Sequence, residues 1–511
     1  MAGARIFAVD LGASGGKFFS GVFERDSFSM DEVHRFEHGG ISFFLRDRDN
    51  RVTERTYWDD TWLYENLLRG LRRYRREIAD RIESIGVDTW GSDGQFVTAD
   101  GDLIGRVYCY RDHRLDRMID ELKKRVDPVR VYEITGIHFQ PFNISNQLLW
   151  FLQNRRELLL PGSTFIPMPS LFYYYLGMVR MVDSSWASVT QLMDARKRRW
   201  SPELLHVIGM PEDAMPEIVE PGSVVGEMTG QLAESLRLNR AKLVAVGSHD
   251  TASAFAAAPV DVEEEALIIS SGTWSLVGKL ISQPITSADA MAFNISNEGG
   301  IGNIRFLKNC MGTWIVQELR RLWKQRDGQE MGWDEITVLV AQAEPFSSFI
   351  DPDDSGFYNP PDMEQAIASF CKKSGQAIPK DRATYLRVVY ESLAMKYRLV
   401  DEQISGVCGT PSRVVHIVGG GCKNELLNRF TADATGLPVV AGPEEATAVG
   451  NIAVQALGTG IFPDLSSALS VMLPAFSIRR FEPEKPQTWT QQYDRFKKIF
   501  QSNQSSTHKK K

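Results

Sequence analysis

Residues 5–23 (RIFAVDLGASGGKFFSGVF) and 266–282 (ALIISSGTWSLVGKLIS) share one layout. In each, an apolar β-type run enters a tight turn of small residues and returns as a second apolar run, which predicts a hairpin. One hairpin opens the chain, and its counterpart falls just past the midpoint, behind the plausible boundary AAAPVDVEEEA at 256–266. A repeat at that spacing is the outline of a duplicated domain. Length agrees, because 511 residues exceed what one hydrophobic core supports. The expected division is 1–255 and 256–484, followed by a segment 485–511 ending in a disordered polar tail.

Between the hairpins, DDTWLYENLLRGLRRYRREI (59–78) has helical periodicity, whereas SIGVDTWG (84–91) and KLVAVGS (242–248) read as strands. Alternating strands and helices indicate an α/β sheet in each half. The basic run RRYRREIADR (72–81) has acidic residues interspersed at helical spacing and reads as a solvated helix face. A third glycine loop lies in VVHIVGGGCKNELLNRFTADATG (414–436): a strand, then glycines, then a helix starting near Lys423 or Asn424. Glycine keeps side chains away from an anion, and a helix start offers unpaired N–H groups, so all three loops suit a phosphate. Each alone also fits an ordinary turn. The third matches neither GxGxxG nor the P-loop, which weakens both of those readings.

Charge and hydropathy exclude other classes. A net charge of -7, from 58 basic and 65 acidic residues, argues against a nucleic-acid partner. No apolar run approaches the roughly 20 residues of a membrane helix, and no secretory leader precedes the first strand, so a cytoplasmic protein is expected. Cys109, Cys310, Cys371, Cys408 and Cys422 show no CxxC spacing, which points to neither disulfides nor zinc.

VGSHDTASAF (246–255) sets Asp250 between a histidine and a threonine at the start of an alanine-rich helix. An aspartate there is either a helix cap turned back on its own backbone or a carboxylate aimed at a substrate.

The chain resembles the FGGY carbohydrate kinases from end to end. Segments that carry the resemblance include VDLGASGGK (9–17), GVDTWGSD (86–93), YRDHR (110–114), GIHFQPFNISNQL (136–148), GSHDTASA (247–254), SSGTWSLVG (270–278), NEGG (297–300), LKNCMGTWIVQE (307–318) and VGGGCKNELLNRFTADATGLPVVAGPEEATAVGN (418–451). The resemblance implies two RNase H-like, actin-like ATPase domains with an interdomain cleft and a hinge near 255–265. It makes Asp250 the catalytic base, with Gly91, Asp93, His249, Thr251 and Asn309 binding the sugar. Ala13, Ser14, Gly15, Gly16, Lys17, Gly272 and Thr273 would hold ATP phosphates, and Gln317, Gly420, Gly421 and Asn424 the rest of the nucleotide. Asp10 would act on Mg²⁺ through water.

The implied partners are ATP and a small-molecule ketose, with no nucleic acid and no membrane, and the assembly a monomer or homodimer. L-rhamnulose, phosphorylated at its C1 hydroxyl, is the first expectation, with L-fuculose or L-xylulose as alternatives. An actin-like, ATP-driven binding protein is the reading from another class. Trp90, Tyr110 and Arg111 are suitable types for a sugar site. Two departures stand out. Lys17 replaces an arginine common among the relatives, and Gln95 brings an amide that either bonds the sugar or faces solvent.

Overall fold

The computed structural model describes residues 3–25, 27–47, 49–260 and 265–508. Strand Ala4–Gly12 lies at the heart of the first sheet. It pairs antiparallel with Gly15–Glu24, closing the expected opening hairpin, and parallel with Ser84–Thr89 on its other edge. The full order is Val224–Glu227, Lys242–Val244, Ser84–Thr89, Ala4–Gly12, Gly15–Glu24, Ser27–Glu37. Helix Asp60–Glu77 starts where Asp59 accepts the Trp62 amide at 2.9 Å. Its buried stripe, Leu63, Leu67, Leu71 and Tyr74, follows the helical period and joins Phe7, Val9 and Phe18 in the core. Truncating one such leucine to alanine costs roughly 2–5 kcal/mol. The opposite face of the helix carries the expected solvated charges, with Arg73 and Arg76 paired to Glu77.

The second sheet repeats this plan. Ala266–Ser271 pairs antiparallel with Trp274–Ile281 and parallel with Val414–Val418; next come Val439–Ala441, parallel, and Arg479–Phe481, antiparallel. The first sheet follows the same sequence of directions from its own hairpin outward, through Ser84–Thr89 and Lys242–Val244 to Val224–Glu227. The duplication inferred from the two glycine hairpins is therefore a duplication of topology. The third loop also folds as predicted, with strand Val414–Val418, a 3-10 turn at Gly420–Lys423 and helix Glu425–Thr435 capped by Asn424.

The chain forms two compact units, and they are not continuous in sequence. The first takes residues up to Pro259 together with Leu280–Phe306 and Glu445–Phe476; the second takes Val260–Lys279, Leu307–Glu444 and the residues from Ser477 onward. The compact units thus interleave along the chain, whereas the expected division has a single boundary after residue 255. The physical reason is helix Ala446–Gly458, which lies on the first sheet: Asn451 donates to Gly86 O and Asp88 Oδ2, and Gln455 donates to Phe7 O. It also crosses helix Asp250–Ala256 so closely that a Cβ on Gly450 would collide with the Ser253 carbonyl. Part of the expected hinge, residues 261–264, lies outside the described residues.

The described part of the segment beyond 485 is helix Pro486–His508, and 509–511, the end of the expected disordered tail, lie outside the described residues. Trp489, Tyr493 and Phe496 recur on one face and are buried, Trp489 lying edge-on to Phe346 at 5.1 Å and the Tyr493 hydroxyl donating to Glu402 at 2.8 Å. A composition dominated by Gln, Ser and Lys hides that stripe. Among the described residues no helix is long and apolar enough to cross a membrane, and all five cysteines are free thiols.

Candidate active site

The C-terminal ends of the parallel strands in the first sheet gather carboxyl groups. Asp10 stands in register with Asp88 on the neighbouring strand and with Lys17 on the other side. Parallel strands lie about 4.8 Å apart, so paired residues show their side chains on one face. Thr89 then bridges to His249, which sets the His249–Asp250–Thr251 turn beside the same strand end. Ends of this kind are where open α/β sheets bind ligands.

Burial dominates the electrostatics. It raises the Asp10 carboxyl, the charge of Asp250 adds to the effect, and Lys17 opposes it. Asp88 is fully buried; burial and then the Asp10 charge hold it well above the ordinary carboxylate range, although Asn451 donates to its Oδ2 at 2.6 Å. Its Oδ1 is buried without a hydrogen-bond partner. Asp250 is raised by burial too, with the nearby His249 opposing.

Asp250 shows elements of both readings. His249 occupies the cap position without a side-chain cap bond, and Asp250 Oδ1 accepts the Thr251 amide at 2.7 Å. That is one local bond, and the Asp250 side chain keeps 27% of its surface exposed while Asp88 beside it has none. A carboxylate anchored on one side and open on the other can receive a proton.

The remaining sequence-derived residues divide into groups. Gly91 lies against His249: a Cβ there would come within 2.6 Å of Nε2, so only glycine lets the imidazole rest on this backbone. Asp93 is fully buried and engaged through both oxygens, accepting from the indoles of Trp58 at 2.6 Å and Trp90 at 3.0 Å, the Tyr110 amide at 3.2 Å and the Gln147 amide at 3.0 Å. It braces this region from beneath. Trp90 is likewise a core residue, packed against Trp58 with ring centroids 4.4 Å apart and planes tilted by 42°, and not an open platform. Gln95 takes neither expected course: it is buried, donates to Arg106 O at 2.7 Å and accepts from the Phe96 amide at 2.9 Å.

At the tip of the first hairpin, Gly12 and Gly15 pair across Ala13 and Ser14, and His38 braces the turn from Nε2 to Gly12 O at 2.8 Å. Gly16 sits next along the returning strand, followed by Lys17. The Lys17 ammonium contacts both oxygens of Glu445 at 2.9 Å.

In the second unit, Gly272 O accepts from the Thr313 amide at 3.0 Å and the Thr313 hydroxyl at 2.9 Å, and Thr313 Oγ1 accepts from Gln317 at 3.2 Å. Thr273 Oγ1 lies 3.4 Å from Gln317 Oε1, so these sequence-predicted residues do cluster. Gly420 and Gly421 open the 3-10 turn, and Asn424 caps the following helix while donating to the Tyr390 hydroxyl at 2.8 Å. Asn309 Oδ1 is buried without a partner on strand Ile304–Met311.

Sequence reasoning assigned no role to Asp88, Asn451, Glu298, Arg305 or Glu445. Arg305, fully buried, donates to Thr251 Oγ1 at 2.7 Å and lies 3.2 Å from Glu298 Oε2. Burial, the largest single influence, pushes the Glu298 carboxyl up, but the Arg305 charge together with His249 and His138 outweighs it and leaves it at about 2. The available signal was an arginine inside the apolar run NIRFLK.

Two adjoining family models cover most of the chain: the N-terminal domain of the FGGY family of carbohydrate kinases matches residues 45–256, and its C-terminal domain matches 267–459. This chain belongs to the FGGY family of carbohydrate kinases. A rhamnulokinase of Bacteroides thetaiotaomicron is 36% identical to this FGGY kinase over 492 residues, covering 96% of the chain and 98% of the relative. A rhamnulokinase of Pectobacterium carotovorum is 34% identical over 514 residues, covering 100% and 99%. Among solved structures, a gluconate kinase of Lactobacillus acidophilus superposes with a TM-score of 0.79 at 15% identity, covering 100% of both chains, a likeness of fold. The protein is a carbohydrate kinase of two-domain α/β architecture, and membership of this family sets aside the sugar-independent binding-protein reading.

Proposed function

We propose that this FGGY kinase transfers the γ-phosphoryl group of ATP to the C1 hydroxyl of L-rhamnulose, giving L-rhamnulose 1-phosphate and ADP. The observation that carries the chemistry is the Asp250 carboxylate, anchored by the Thr251 amide, partly open and flanked by His249 and Thr251. The names of the long, similar relatives support the sugar.

In this reading the C1 hydroxyl oxygen attacks the γ-phosphorus and its proton passes to Asp250 as the O–P bond forms, while the bond from phosphorus to the leaving oxygen of ADP breaks. Burial raises the basicity of Asp250, in the direction a base requires, and such a group contributes roughly 10²- to 10⁴-fold in rate. Glycine at 91 lets His249 sit against the backbone, and Asp93 holds the indoles under it. The Ala13–Lys17 loop, the Gly272–Thr273 loop and the Gly420–Asn424 turn are each candidates for nucleotide contact.

The carboxyl groups fit a hydrated magnesium ion. Among the described residues no three His, Cys, Asp or Glu side chains close into a metal cage, yet Asp10 and Asp88 are raised by burial and by neighbouring acids, a field that a cation relieves. Asp10 would hold Mg²⁺ through water, and the ion would offset phosphate charge.

The test is a panel of L-rhamnulose, L-fuculose and L-xylulose with Mg-ATP, scored by phosphorylated product and by the carbon carrying the phosphate. The highest kcat/KM is expected on L-rhamnulose with phosphate at C1; a better value on another ketose overturns the assignment.

A further inference from the structure

Arg305, on strand Ile304–Met311, reaches the first turn of helix Asp250–Ala256 yet belongs to none of the three glycine loops. Its side chain has no exposed surface. Nε donates to Gly299 O at 2.8 Å, Nη1 to Thr251 Oγ1 at 2.7 Å, and Nη2 lies 3.3 Å from His249 Nδ1. A guanidinium has five donors and no acceptor, so a nitrogen it addresses must present a lone pair. His249 Nδ1 is then bare, and the proton of a neutral imidazole resides on Nε2.

That assignment propagates. Nε2 lies 3.1 Å from Thr251 Oγ1 and 3.5 Å from Asp250 Oδ1. Thr251 Oγ1 therefore accepts from Nη1 of Arg305 and from Nε2–H of His249, which occupies both lone pairs of the hydroxyl oxygen. Its own hydrogen is what it has left to offer. The opposite tautomer would aim Nδ1–H toward Glu298 Oε2, 3.4 Å away, and bring it against the Nη2 hydrogen of Arg305. Arg305 stands 3.2 Å from Glu298 Oε2 as its counter-charge, although that oxygen makes no hydrogen bond, so the contact between Nη2 and Nδ1 decides the tautomer.

We propose that Arg305 is a positioning residue for the acceptor sugar: it holds His249 as the Nε2–H tautomer and turns Thr251 into a hydrogen-bond donor beside the Asp250 base. The consequence for substrate class rests on the kinase reading above. A donor next to a proton acceptor matches an α-hydroxy ketone, whose C1 hydroxyl gives its proton to Asp250 while the oxygen on C2 accepts from Thr251. An analogue with a methylene at C2 leaves the Thr251 hydrogen unpaired and is a poor substrate.

The test uses the full chain labelled with ¹⁵N-histidine, with His249→Gln to assign its resonances. The long-range ¹H–¹⁵N spectrum is expected to show a protonated Nε2 and a bare Nδ1 for His249. Arg305→Met combined with Glu298→Gln removes both buried charges together, so neither is stranded. In that variant His249 is expected to shift to Nδ1–H or to a mixture, with the sugar KM raised at least about tenfold and the KM for ATP unchanged. Arg305→Lys, which keeps the charge and one donor direction, is expected to recover part of the sugar affinity. A wild-type spectrum with Nδ1 protonated overturns the proposal without any variant having to fold, and so does a tautomer unmoved in the double variant. Failure of the ketose assignment would show in the sugar panel and leave the spectrum as expected, so the two are separable.

Discussion

Asp10 and Asp88 stand in register on neighbouring parallel strands, and the charge of Asp10 adds to burial in holding the Asp88 carboxyl protonated far above its usual range. Asp88 accepts a hydrogen bond from Asn451 through one oxygen and has none on the other. A group whose folded-state value is raised contributes stability that is complete below about pH 4 and is lost as pH climbs through the folded value. Asp88→Asn removes that loss. Its melting temperature should match wild type near pH 4 and exceed it by an amount equivalent to roughly 1–3 kcal/mol at about pH 8. Calorimetry across that range checks this, and a difference that shrinks with rising pH would show Asp88 to be ionised and paired.

Asp250→Asn keeps the shape and the bond from the Thr251 amide while removing the base. The kcat should fall by about 10²- to 10⁴-fold, with nucleotide affinity and melting temperature nearly unchanged. Single-turnover ADP release measures the first and calorimetric titration the second; near-normal turnover would remove Asp250 from the chemistry.

Gly91→Ala pushes a methyl group against the His249 ring, three atoms of which lie within 2.9 Å of the Cβ position. We expect the sugar kcat/KM to drop by about a hundredfold, equivalent to about 2.7 kcal/mol, without a change in KM for ATP. Equal loss on both substrates would mean that the site collapsed as a whole.

Lys17 contacts both oxygens of Glu445. If Lys17 contacts phosphate as proposed, Lys17→Met should raise the KM for ATP about tenfold, or about 1.4 kcal/mol, because that point charge is lost. Lys17→Arg should restore it, since the planar guanidinium can serve the carboxylate and a phosphate together. An ATP affinity indifferent to Lys17→Met would make the pair purely structural.

What was legible in the sequence was local. Both hairpins, the third glycine loop and the helix over 59–78 announce themselves through small-residue turns and apolar periodicity within about twenty residues. Asp10 and Asp250 stand out through the family resemblance of VDLGASGGK and GSHDTASA, since aspartates at helix starts are common here, Asp59, Asp127 and Asp381 among them. The network around them was not legible, because its bonds span the chain: Arg305 meets Thr251 across 54 positions and Asn451 meets Asp88 across 363. Gln95 read as a specificity residue because nothing local reveals that its amide is consumed by the backbone of Arg106 and Phe96. The discontinuous first unit escaped for the same reason, as the helix that completes it lies far from the strands it covers.

That helix has a bearing on biosynthesis. Gln455 reaches the carbonyl of Phe7 across 448 positions, so the opening sheet leaves the ribosome long before its cover exists. A nascent chain carries that sheet face without this helix until Ala446–Gly458 has emerged. A fragment ending at Pro259 inherits that nakedness permanently, and should precipitate where the whole chain stays dissolved.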